Sequence, residues 1–205
     1  VNQAGQTLVE TMVAAFILVM GITAAIGLAL YSFNASTAIR KQVIGMGLAR
    51  QGLETVRNMR DTNWLHGSGI SGACNCHTDW LDAYYDLQPS GGKQTYALSI
   101  DQSDLTRPFV LTPQTKVFAM DYDGKSSNGQ FYYPNTGSLE NAAYFRKITL
   151  STDTSSPYDS TSPKLTVRSQ VWWSDKKCQV ASDFSSAAKA CRIQLDTYLT
   201  NWKTF

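Results

Sequence analysis

The stretch that decides the fold is GQTLVETMVAAFILVMGITAAIGLALYSF, residues 5–33, in which Glu10 is the one charged residue. The next charge is Arg40. The uncharged run between them exceeds the roughly 20 residues that a helix needs to cross a bilayer's hydrocarbon core. A cleaved secretory signal has a shorter apolar core, about 7 to 15 residues, a basic region before it and a small-residue cleavage site after it. The run therefore predicts a membrane helix. A carboxylate inside such a helix costs at least about 2.5 kcal/mol at the bilayer centre, so Glu10 either reaches the headgroups from the helix end or has a partner. Nothing basic within the stretch can supply that partner.

Beyond residue 33 the pattern turns amphipathic without a break. Ile39, Val43, Met46, Ala49, Leu53 and Val56 recur at steps of three and four, while Arg40, Lys41, Arg50, Arg57 and Arg60 fall elsewhere. One helix is predicted to run on from the membrane segment, with Asp61, Thr62 and Asn63 as its stop. It contains no proline, and each of Gly21, Gly27, Gly45, Gly47 and Gly52 weakens it by about 1 kcal/mol relative to alanine. Bending or melting is expected at some of these glycines.

Residues 67–93, GSGISGACNCHTDWLDAYYDLQPSGGK, form a long turn-rich connection. After it come six short apolar segments bounded by Gly, Pro, Asn, Asp and Ser: QTYALSI, KVFAMDY, GQFYY, YFRKITLS, KLTVRSQVWW and CRIQLDTYL. In KLTVRSQVWW, Leu165, Val167, Val171 and Trp173 share one parity against Thr166, Arg168 and Gln170, as in a sheet with one covered face. The amphipathic half-helix is the natural cover. The predicted organisation is α+β: residues 1–35 are the N-terminal motif and membrane helix, 36–63 the amphipathic half-helix, 64–93 a connecting loop and 94–205 an antiparallel β-sheet head.

The 205 residues carry a net charge of +2 and scattered basic residues, which gives no patch for nucleic acid. The four cysteines, Cys74, Cys76, Cys178 and Cys191, all follow the membrane segment, as suits an exported head whose thiols oxidise. Cys178 and Cys191 bound the loop before the last segment, so a bridge closing its base is the simplest pairing. A Cys74 to Cys76 bridge closes a tight ring, and crossed pairings between the two pairs stay open. Zinc held by Cys74, Cys76, His77 and a later cysteine is the competing use, but the spacing lacks the two-residue gap usual for zinc. Asp121, Asp123 and Asn128 miss the calcium-loop pattern, and GSGISG around Ser71 lacks the last glycine of a nucleophile elbow because residue 73 is alanine. His66 and His77 are the two histidines, both in loop sequence, so no catalytic triad can be assembled. No enzyme activity, metal or cofactor is expected. Trp64, Trp80, Trp172, Trp173 and Trp202 are expected mostly in the core, with Tyr84 and Tyr85 the best candidates for an exposed aromatic surface.

Gly5, Gln6, Thr7, Leu8, Val9 and Glu10, followed at once by the apolar run, resemble the cleavage and methylation motif of type IV prepilins. The long two-part helix, variable loop, antiparallel sheet and cysteine-bounded C-terminal segment look like the pilin fold. The resemblance implies that a prepilin peptidase cuts after Gly5 and methylates Gln6 as the new terminus, with Thr7 beside it. It implies that the apolar half-helices anchor the subunit in the membrane and then bundle into a filament core, where Glu10 meets a neighbour's terminal amine. The implied partners are further copies of the chain, the peptidase and the pilus assembly machinery, with the cell membrane as the location before assembly and an extracellular filament after it. The implied work is attachment, twitching motility or DNA uptake; a pseudopilin of a type II secretion system or a minor tip pilin is the alternative, and a membrane-anchored binding or enzymatic head a second. Two features depart from the pattern. Gly21 and Gly27 stand in the membrane half where many pilins place a helix-breaking proline, and the sequence carries VNQAG ahead of the expected cut, leaving Gln6 and Val1 as alternative mature termini.

Overall fold

Helix α1 spans Ala4–Gly67 in the computed structural model. The structure describes residues 4–67, 79–82, 84–100, 108–114, 119–121, 133–134, 144–159, 163–174, 178, 181 and 183–201, with side chains on α1 from Leu8 to His66. By its internal contacts the chain divides into two units, Val1–Lys41 and Gln42–Phe205. The helix does not stop after Arg60. Thr62 Oγ1 donates to Asn58 O at 2.9 Å, one turn back, and Arg60 pairs with Asp61, so two of the three expected stop residues are satisfied within a continuing helix. Asn63, the third, has a different task.

The second unit is an antiparallel sheet with the later part of α1 on one face. Its strands among the described residues are β1 (Lys93–Ile100), β2 (Phe109–Pro113), β3 (Ala119–Asp121), β4 (Tyr133–Pro134), β5 (Tyr144–Asp153), β6 (Lys164–Trp173) and β7 (Arg192–Leu199). The spine is β5 paired with β6 along ten residues each, from Tyr144↔Trp173 to Asp153↔Lys164, and β7 follows β6. On its other side β5 takes β1 along Ile148 to Ser151 and the short β3 at Tyr144 and Phe145; β2 pairs with β1, and β4 with β3. The fold class is thus α+β, with one long N-terminal helix and an antiparallel sheet, as the sequence predicts. β2 was not among the predicted strands. A two-glycine turn feeds β1: Gly91 and Gly92 have φ of 67° and 78°, a left-handed backbone that glycine alone adopts without penalty.

The helix meets the sheet through one stripe at alternating steps of four and three, Gly45, Ala49, Gly52, Val56, Met59 and Asn63, all buried. Small residues come first because the sheet comes close. A Cβ on Gly45 would lie 2.7 Å from the Trp173 ring, and one on Gly52 would lie 2.8 Å from both Ile148 Cδ1 and Ser169 Oγ. These glycines therefore set the helix-to-sheet distance instead of weakening the helix to no purpose. Further along, Val56 and Met59 are 0% exposed and enter the main cluster with Ile148, Leu150, Leu165 and Val167.

Asn63 closes the stripe. Its Nδ2 donates to Trp80 O at 3.1 Å and Tyr85 O at 2.8 Å, while its Oδ1 accepts from the backbone N–H groups of Tyr84 at 3.1 Å and Tyr85 at 2.6 Å. A buried amide thus spends its full hydrogen-bonding capacity on the chain just after α1. That chain includes the short helix α2 (Asp79–Asp82), whose Trp80 and Leu81 are buried in the main cluster. Tyr85 is buried too, contrary to the expectation of an exposed aromatic pair, because Asn63 draws its backbone inward. Tyr84 is half-buried and stacks on His66 with ring centroids 4.1 Å apart.

The opposite sheet face is also partly covered, which the alternation in β6 did not predict. Trp172 has the parity assigned to solvent yet is 1% exposed. It stacks on Phe145 at 5.4 Å, donates from its indole to Ala181 O at 2.9 Å and meets Phe184 edge-on at 6.1 Å. The covering residues belong to the loop closed by the Cys178–Cys191 disulfide, whose Cα atoms are 6.3 Å apart across a separation of 13. Lys147 ties the same loop to β5 through Asp183, and this bond lowers the Asp183 carboxyl to about 2. Its stabilisation is present above the ordinary carboxylate value of about 3.9 and is lost as pH falls toward about 2.

Three outcomes are expected. A chain starting at Ser32 should be soluble and folded, since α1 in the second unit keeps its sheet; an insoluble or unstructured product would contradict the helix-on-sheet architecture. In that chain Asn63→Asp should cost about 3 kcal/mol or more in denaturant unfolding, because it replaces the amide that donates to two carbonyls with a carboxylate oxygen facing them and buries a charge. Reducing the disulfide should separately lower the stability by about 3 kcal/mol on the loop-closure account, read as a drop in Tm.

Candidate functional site

The first unit consists of α1 alone among its described residues. From Leu8 onward its large apolar side chains, including Val13, Phe16, Ile17, Ile22 and Leu28, are all more than half exposed. Its best 18-residue window has a mean hydropathy of 2.5 and none of it is buried. An apolar surface running all round a helix is a membrane-spanning or bundle-core pattern, because a globular helix shows one apolar stripe. By length and composition this helix could anchor the chain in a membrane.

The threonine hydroxyls described in the segment are already bonded within the helix. Thr11 Oγ1 donates to Leu8 O at 2.9 Å, Thr23 Oγ1 to Val19 O at 3.0 Å and Met20 O at 2.9 Å, and Thr37 Oγ1 to Asn34 O at 2.9 Å. Each threonine bonds back into its own helix, so none demands a polar neighbour. Glu10 is different. It is exposed, and among the described residues it has neither ion pair nor hydrogen bond. Its position puts a single formal charge on a surface otherwise suited to lipid or to other apolar helices.

The rest of the predicted motif lies close by on the same helix. Gly5, Gln6 and Thr7 fall in the first two turns of α1, with Gln6 one turn before Glu10; their side chains lie outside the described residues. Gly21 and Gly27 both lie within the continuous helix α1. A Cβ at either would meet nothing within 4 Å, in contrast to Gly45 and Gly52. Without proline nothing forces the backbone open, and glycine merely lowers the cost of opening it.

The remaining candidates resolve as follows. Cys178 and Cys191 are bonded to each other and cannot serve zinc; Cys74, Cys76, His77, Ser71 and Trp202 lie outside the described residues, as do Asp123 and Asn128. No cluster of metal-ligating side chains occurs among the described residues. Trp80, Trp172 and Trp173 are core, as expected, and Trp64 is half-buried against it.

One buried cation escaped the sequence. Arg146 points from β5 into the helix interface, where its guanidinium donates to Gln51 Oε1 at 2.9 Å and Leu98 O at 3.3 Å, with Leu48 O at 3.5 Å. Burial lowers its pKa to about 10. The even parity it shares with Ile148 and Leu150 was the available signal, but a basic residue there reads as solvent-facing.

Compared with protein-family models, curated proteins and solved structures, the chain matches none of them. The glycines of the apolar helix give a test of their own. Gly21→Ala and Gly27→Ala should leave the unfolding of the second unit unchanged, since the added methyl meets nothing within 4 Å among the described residues, while raising the helicity of the isolated N-terminal segment in detergent by circular dichroism. A matching change in head stability would place those glycines in a contact that the geometry lacks.

Proposed function

We propose that the protein is a structural filament subunit of the type IV pilin kind, held in a membrane by the apolar half of α1 before assembly and packed through that half against further copies after it. The observation that carries this reading is the exposed apolar helix interrupted by one carboxylate that has no partner among the described residues. A simple membrane anchor needs no carboxylate, and the charge costs insertion energy. A bundle of identical helices can use it, because an ammonium supplied by a neighbouring copy pairs with Glu10 in a dry interior and fixes the stagger between subunits.

The residues GQTLVE supply the rest of the reading. Cleavage after Gly5 by a prepilin peptidase would create an amine at Gln6, one turn from Glu10 on its own helix and free to reach the Glu10 of another copy. The sheet heads then coat the shaft, and attachment, surface motility or DNA uptake is the work. A pseudopilin or minor subunit would share every element of this account and would differ in abundance. Electron microscopy of sheared surface material, with mass spectrometry of its main component, decides both points: filaments dominated by this chain with a methylated Gln6 terminus support a major pilin, and filaments lacking it overturn that role.

Glu10→Ala should leave membrane insertion intact or improved and should leave the head's unfolding unchanged. Filament yield should fall sharply, since losing one partner of a buried pair costs about 3 to 5 kcal/mol. Wild-type filament levels in Glu10→Ala cells would remove the pairing role.

A further inference from the structure

The connection between β5 and β6 is longer than its geometry needs. The strands remain paired to Asp153↔Lys164, and a two-residue turn can close an antiparallel hairpin. The chain instead spends residues 154–163 there. Across residues 151–163, eight of 13 are Ser or Thr and two are Pro, a composition associated with O-linked sugars. The segment is held at its base. Lys164 Nζ pairs with Asp153 at 2.8 Å and lies 5.0 Å from the centre of the Tyr158 ring, and Tyr158 N–H donates to Ser155 O at 2.9 Å, closing a turn over residues 155–158.

Within that turn the hydroxyls are not equivalent. Ser155 Oγ is bound to Asp153, whose carboxylate also accepts the Ser155 N–H. Thr154 and Ser156 are exposed and their hydroxyls have no partner among the described residues, and Pro157 beside Ser156 is exposed as well. Ser156 therefore stands on the crest of an anchored turn.

We infer that Ser156, with Thr154 as the second acceptor, is a site of O-linked glycosylation. The donor class is a sugar activated as a diphosphate ester, transferred by a separate glycosyltransferase. The Ser156 Oγ attacks the anomeric carbon, the new C–O bond replaces the bond from that carbon to the phosphate oxygen, the diphosphate leaves with the electron pair, and the hydroxyl proton passes to the transferase's base. A phosphate at the same hydroxyl is disfavoured by Asp153 and Asp159 in the same short segment. The inference requires an exported head and stands whether or not the chain assembles into filaments.

The test uses full-length protein from its native cells. Trypsin cuts after Lys147 and Lys164, releasing residues 148–164 as one peptide. Most copies of that peptide should be heavier by whole sugar units, with fragmentation that preserves the linkage placing them on Ser156 or Thr154. The mass increment should vanish in the Ser156→Ala, Thr154→Ala double variant and persist in Ser155→Ala. A peptide of unmodified mass in most copies, an increment removed by phosphatase, or sugar confined to Ser155 or to residues 160–162 would overturn the assignment.

Discussion

The close approach of helix and sheet at Gly45, Ala49 and Gly52 is the constraint on which the rest of the second unit depends. Two glycines one heptad apart let Trp173 and Ile148 press onto the helix, and the aromatic and aliphatic area buried there is worth about 1.5 to 3 kcal/mol for each side chain fully removed from water. A methyl group at Gly52 would meet Ile148 and Ser169 together, so the helix would have to move out along its length. Because Val56, Met59 and Asn63 continue the same stripe, such a shift would also loosen the main cluster and the amide clasp on the following chain. Local helix propensity was given up for a tertiary contact, which is the usual direction of that trade.

Arg146 and Glu10 are polar groups in dry or potentially dry settings, and they are handled in opposite ways. Arg146 is enclosed by the head and has acceptors on both sides, from α1 through Gln51 and from β1 through Leu98. Its burial is costly, as the lowered pKa records, but the cost is offset within one chain. Glu10 has no such arrangement. A carboxylate without a partner among the described residues, on a lipid-compatible helix, is intelligible if its counterpart arrives with another copy. The contrast supports assembly more directly than hydropathy does, since hydropathy alone fits any single-pass anchor.

Much of this was legible in the residues, and the failures have specific causes. The helix of the apolar run, the strand alternation in KLTVRSQVWW and the pairing of Cys178 with Cys191 were read correctly because each rests on local pattern or short loop closure. The strand β2, FVLTP, was missed because Pro108 precedes it and Pro113 ends it, and both read as loop punctuation, although an edge strand tolerates proline. The helix end was placed too early because Asp61, Thr62 and Asn63 have cap chemistry; in the fold Asn63 spends that chemistry on backbone about 20 residues later. Trp172 was expected in the core as an aromatic, but the alternation in β6 could not say how, because parity describes one sheet face at a time and says nothing of a disulfide-closed loop folding over the other.

The two parts of α1 differ less in how apolar they are than in how the apolar residues are distributed. Residues 45–63 concentrate them in one stripe, so a single sheet satisfies the helix and the exposed side can carry Arg50, Glu54 and Asp61. Residues 11–33 spread them round the whole circumference, so no single neighbour can satisfy that segment. It must be surrounded, by lipid or by several helices at once, and in either setting its hydroxyls must look inward, as those of Thr11 and Thr23 do. The same backbone geometry therefore serves one segment that completes a fold and another that is incomplete without an environment. Glu10 separates the two possible environments, because lipid penalises its charge whereas a bundle of copies carrying free amines can pair it.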